Sequence, residues 1–124
     1  MKDNKHVILC IDDDNDILNS MKIILEANEF IVEEAISAED GLQKYKKTNP
    51  DLLIVDLMME EVDSGINLVK KLQSLKNEAP ILLLSSVGDA LYSEVDYSSL
   101  GLAGVMQKPI RNTLLLDTIK NILE

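Results

Sequence analysis

The chain has 124 residues, 46% of them hydrophobic and 27% charged, enough for one domain with a real core and too balanced for long disorder. Twelve Lys and Arg against 22 Asp and Glu leave a net charge of -10, which disfavours nucleic acid and anionic membranes as partners. One cysteine and one histidine exclude a disulfide framework and any His- or Cys-rich metal site, and no apolar run approaches the ~20 residues of a membrane span.

The N-terminus, MKDNKHVILC, is too briefly apolar for a signal peptide and runs into an acidic cluster, so a cytoplasmic protein is expected. Residues 6–11 (HVILCI) form a short apolar run, read as a buried strand. Ile17, Leu18, Met21, Ile24 and Leu25 then recur at helical spacing, predicting an amphipathic helix over 15–28. Residues 30–36 (FIVEEAI) read as a second strand. Ser37 and Asp40 have capping-box spacing, and Ala38, Gly41, Leu42 and Tyr45 line one face of a helix that must stop before Pro50. Residues 52–55 (LLIV) are the third strand. Gly65, Leu68, Val69, Leu72 and Leu75 mark the third helix, and 81–84 (ILLL) the fourth strand. A helix over 90–100 has a diluted pattern. Residues 104–107 make a short fifth strand, and Leu115, Leu116, Ile119, Ile122 and Leu123 a strong last helix.

Continuous apolar strands need cover on both faces. Five strand–helix units therefore predict a doubly wound α/β domain: a five-stranded parallel sheet flanked by five helices. With no linker or repeat, and nothing after the last helix, one domain over 1–124 without an output domain is expected. The aliphatic strand holding Cys10 makes that thiol a core residue, and His6 is read as a strand-edge residue without a partner.

In such sheets ligands bind beyond the carboxyl ends of the strands. Strand one ends in Asp12, Asp13 and Asp14, strand three in Asp56, strand four in Ser85 and Ser86, and strand five in Lys108 and Pro109. Asp14 or Asp16 alone is most simply a helix N-cap. Asp12, Asp13 and Asp56 at adjacent strand ends would repel one another without a cation, and an oxygen-only donor set suits magnesium better than zinc. An EF-hand reading of Asp12, Asp14 and Asp16 fails, because Ile17 stands where the turn glycine belongs and no Glu closes the loop. A screened carboxylate at Asp56 could act as a nucleophile and form an acyl phosphate, with Lys108 as the cation and Ser85 as a hydroxyl donor.

The segments CIDDDNDIL, PDLLIVDLMM, PILLLSS and the LG…QKP stretch, with separations of 43, 29 and 23 residues from Asp13 to Asp56 to Ser85 to Lys108, resemble the receiver domain of two-component response regulators over 6–123. The resemblance implies a flavodoxin-like, chemotaxis-regulator-like fold with strand order 2-1-3-4-5. It implies Asp56 as phosphoacceptor, and Mg2+ held by Asp12, Asp13, Asp56 and the Met58 carbonyl. Ser85 becomes the switch hydroxyl and Lys108 its partner, with a cis Lys108–Pro109 bond. The implied donor is a phosphohistidine on a sensor histidine kinase or phosphotransfer protein. Output would be a protein contact, through the 90–100 helix, the fifth strand and the last helix, or onward phosphorelay; the chain itself is not expected to be an enzyme.

The sequence departs from the family pattern in places. Glu60 stands where the family has proline, with Glu61 and Asp63 following, and an acidic rim of this kind is read as tuning partner choice. Val105 takes the place of the switch aromatic, and Tyr92 and Tyr97 are read as surface residues. Met58 and Val87 flank the site and cannot orient water, which predicts slow self-dephosphorylation. A haloacid-dehalogenase phosphatase fits poorly, since no later acidic pair follows Lys108. A receiver-like scaffold that no longer signals fits poorly too, because the acidic pocket is intact.

Overall fold

In the computed structural model, residues 4–57, 64–85, 101–108 and 110–123 are described. The apolar runs become strands β1 (Val7–Ile11), β2 (Ile31–Ala35), β3 (Leu52–Asp56), β4 (Ile81–Ser85) and β5 (Gly104–Gln107). They pair in parallel throughout, in the order β2-β1-β3-β4-β5. Among the described residues there are four helices: α1 (Asn15–Ala27), α2 (Ala38–Thr48), α3 (Ser64–Ser74) and α4 (Asn112–Leu123). The helix expected over 90–100 lies outside the described residues.

Side chains alternate along each strand and so sort into two layers. Leu9, Ile11, Leu53, Val55, Ile81 and Leu83 face α2 and α3, meeting Leu42, Ile66, Val69 and Leu72. Ile8, Cys10, Leu52, Ile54, Leu82 and Leu84 face α1 and α4, meeting Leu18, Met21, Leu25, Leu115 and Ile119. Every residue of β1 and β3 is buried. The edges differ: β2 carries half-buried Glu33 and Glu34, and β5 leaves Val105 42% exposed. The expectation of continuously apolar strands therefore holds for the three central strands and fails at β2, where only one neighbour covers the chain.

The helix ends have local causes. Asp14 caps α1 by accepting from the Asp16 and Ile17 amides at 2.9 and 3.4 Å. Ser37 Oγ caps α2 by accepting from Asp40 N at 3.0 Å; the returning Asp40 carboxylate accepts from Ile36 N instead of the cap's own amide. Asn49, at φ +49°, ends α2 in the left-handed region just before Pro50. Leu75 falls beyond α3 and is 40% exposed, not part of its buried face. No described helix is long and apolar enough to cross a membrane.

Candidate functional site: an acidic pocket closed by Lys108

The site forms where β1, β3, β4 and β5 end. Asp12 follows β1 with its amide bonded to Ala35 O at 3.0 Å, and is fully buried. One of its carboxylate oxygens accepts from Asp14 N at 2.9 Å, which ties the pocket to the cap of α1. The other accepts from Lys108 Nζ at 2.9 Å. Asp56, the last residue of β3, is 4% exposed and holds Lys108 Nζ 3.3 Å from its Oδ1. Lys108 is fixed at its backbone as well, donating to Ser85 O at 2.7 Å. Ser85 thus ends β4 one residue beyond Leu84, the register partner of Asp56.

Asp12, Asp13 and Asp56 each offer a carboxylate oxygen, all within 4.8 Å of one another, with Asp13 exposed and the other two buried. Three carboxylates and one ammonium sum to -2 when all are ionised. Burial works against the charge on Lys108, but its hydrogen bond to Asp12 and the charges of Asp12 and Asp56 outweigh it, holding the ammonium above its ordinary value. An all-oxygen donor set with one exposed member suits a hard divalent cation that keeps part of its water shell. The structure therefore brings together Asp12, Asp13, Asp56 and Lys108, and sets Ser85 on the same rim. Met58, Glu60, Glu61, Asp63, Val87, Tyr92, Tyr97 and Pro109 lie outside the described residues.

Two residues behave differently from expectation. His6 has a neighbour: its Nδ1 lies 3.8 Å from Asp51 Oδ2, because β1 and β3 start side by side. The same Asp51 oxygen accepts from Val7 N at 2.7 Å. Gly65, expected only to mark a helix, donates to Leu57 O at 2.9 Å and joins α3 to the end of β3. Cys10 is a core residue as expected, its thiol pushed well up by burial and by the charges of Glu34 and Asp12.

Known proteins resemble this chain in sequence and fold. The family model for the response regulator receiver domain matches residues 8–120. The chain is 31% identical to the chemotaxis protein CheY of Bacillus subtilis over 95% of its own length and 98% of that protein. It is 32% identical to the alkaline phosphatase synthesis transcriptional regulatory protein PhoP of the same organism, covering 94% of this chain and 48% of PhoP. A solved CheY-like receiver domain from Methanospirillum hungatei superposes with a TM-score of 0.83 at 28% identity, covering 97% of this chain and 94% of that one. With its sheet order and its acidic pocket in place, the chain belongs to the response regulator receiver domain family, the phosphoacceptor signalling modules of two-component systems.

Proposed function

We propose that Asp56 is the phosphoacceptor, taking its phosphoryl group from a phosphohistidine on a histidine kinase or phosphotransfer protein. The observation that carries this is the 3.3 Å approach of Lys108 to an Asp56 carboxylate that is almost wholly buried among acidic neighbours. An Asp56 oxygen attacks phosphorus; the new O–P bond forms as the N–P bond of the donor breaks, and the freed imidazole takes a proton from solvent. Lys108 stabilises the charge on the transferring phosphoryl oxygens, and the Ser85 hydroxyl would donate to one of them. Asp12, Asp13 and Asp56 would hold Mg2+, which supplies the further positive charge that lets an anionic donor approach a carboxylate.

Modification turns a singly charged carboxylate into a phosphoryl group of about -2 with added acceptor oxygens. Lys108 and Ser85 then favour one arrangement of the chain around them, biasing a two-state equilibrium. The surface around β5 and α4, the elements on either side of Lys108 in the chain, would carry that bias to a target protein. Because the chain itself is the modified species, it serves as a stoichiometric acceptor instead of a turnover enzyme, in the cytoplasm where such kinases hold their phosphohistidines.

The test is intact-protein mass after incubation with acetyl phosphate and Mg2+, wild type beside Asp56→Asn. A gain of one phosphoryl group, about 80 Da, in wild type alone supports the assignment. Uptake by Asp56→Asn, or neither uptake nor Mg2+ binding by wild type, would refute it.

A further inference from the structure

Resting on that phosphoacceptor reading, we infer that Gly65 is a positioning residue for Asp56, required for the space its missing side chain leaves at the end of β3. A Cβ at Gly65 would stand 2.3 Å from the Asp56 carbonyl oxygen, 2.6 Å from the Leu57 carbonyl oxygen and 2.7 Å from Leu57 Cα. All three are backbone atoms, so no rotamer change relieves the contact. Backbone conformation is not the reason for glycine here, since among the described residues only Gly101 is a glycine in the left-handed region.

Neither side of the contact has room to retreat. On one side the Leu57 amide donates to Leu84 O at 2.8 Å, and Asp56 pairs with Leu84 in the sheet. On the other, Ile66, Val69 and Leu72 seat α3 in the core. Gly65 N–H also donates to Leu57 O, so the chain leaving the site at residue 57 rejoins it at residue 65. A methyl group wedged into this neck must shift the backbone that carries the Asp56 carboxylate. Gly41 shows the contrast: the nearest atoms to a Cβ there all belong to the Ile11 side chain, Cδ1 first at 2.7 Å, and none to backbone.

The experiment compares wild type, Gly65→Ala and Leu25→Ala, the last a buried change at the far end of α1. Each is assayed for Mg2+ affinity by calorimetry and for phosphoryl uptake from saturating acetyl phosphate, at a temperature where circular dichroism shows all three folded. Displacement of the nucleophile should slow uptake by Gly65→Ala roughly 10- to 100-fold and weaken Mg2+ binding. Leu25→Ala, though less stable, should match wild type in both. A folded Gly65→Ala with wild-type uptake and affinity overturns the inference. Should Gly65→Ala fail to fold, Mg2+ titration of ¹⁵N-labelled wild type decides: the Gly65 amide resonance should move with saturation of the site while Gly101 stays, and a stationary Gly65 overturns the inference. Wild type that neither accepts a phosphoryl group nor binds Mg2+ would instead defeat the phosphoacceptor reading beneath it.

Discussion

Lys108 and Asp12 lie 96 residues apart in the chain and 2.9 Å apart in space, joining the end of the last strand to the end of the first. Asp12 is fully buried and Lys108 partly so, and the same ammonium reaches Asp56. Removing it leaves two buried carboxylates facing each other with no counter-charge. Lys108→Ala should therefore slow phosphoryl uptake on the order of 100-fold, as loss of a charge-stabilising donor does. In Mg2+-free buffer it should also lose about 3 kcal/mol of stability, the cost of orphaning a buried charge. Mass spectrometry reads the first effect and chemical denaturation the second; added Mg2+ should restore most of the stability and little of the rate.

The alkaline limb of the stability profile follows from the same contact. The folded ammonium titrates above its ordinary 10.5, so its contribution is complete below 10.5 and is lost as pH rises through the higher folded value. Melting temperatures of wild type and Lys108→Ala, taken without Mg2+, should differ at pH 8 and converge above 10.5. Parallel profiles across that range would mean that Lys108 contributes nothing through its charge.

The acid limb has a separate origin, at the opposite end of the sheet. Burial pushes the Asp51 carboxyl up, but the Val7 backbone amide and nearby positive charge, with His6 the smallest part, outweigh it, and the group titrates below its ordinary 3.8. The ionised form therefore adds stability that is present above 3.8 and lost as pH falls through the lower folded value. Asp51→Asn should cost about 1–2 kcal/mol at pH 7, in line with a charge-assisted hydrogen bond. The cost should vanish in strong acid, as measured by urea titration at each pH.

Mg2+ offers a test that needs no phosphoryl donor. A ligand that binds only the folded chain stabilises it by mass action, about 2.7 kcal/mol at a hundred times its dissociation constant. The melting temperature of wild type should rise by several degrees with Mg2+ and fall back with chelator. Asp13→Asn keeps the buried Lys108–Asp12 pair intact but removes the exposed oxygen donor, so its melting temperature should no longer respond to Mg2+.

How much of this was legible in the sequence depended on burial. The runs ILC, LLIV and ILLL announce β1, β3 and β4 because strands covered on both faces have no room for polar residues. Asp12 and Asp56 could be found because each directly follows or ends such a run, and Lys108 because it follows the short edge strand β5; in a parallel sheet those ends lie together. The edge strand β2 was harder, since Glu33 and Glu34 obey no burial constraint from a second neighbour. The His6–Asp51 approach was hidden because it depends on β1 and β3 being adjacent, which no local pattern states. Gly65 was seen only as a helix marker: the crowding that requires it comes from backbone of Asp56 and Leu57, and backbone carries no signature in residue type.

The lifetime of the phosphorylated state should follow from the residues two positions beyond Asp56 and Ser85. Hydrolysis of an acyl phosphate needs a water aligned for attack on phosphorus, and a side chain that can hold it there raises the rate. The positions two residues beyond Asp56 and Ser85 are Met58 and Val87, a thioether and an isopropyl group. Neither has a hydrogen-bonding group strong enough to fix a water. Phosphorylated wild type, freed of acetyl phosphate by rapid desalting and followed by intact mass, should therefore decay over minutes or longer. Met58→Asn, which adds an amide able to orient water, should shorten that lifetime without changing uptake at Asp56. Decay of wild type within seconds would show that the site recruits its hydrolytic water by another route.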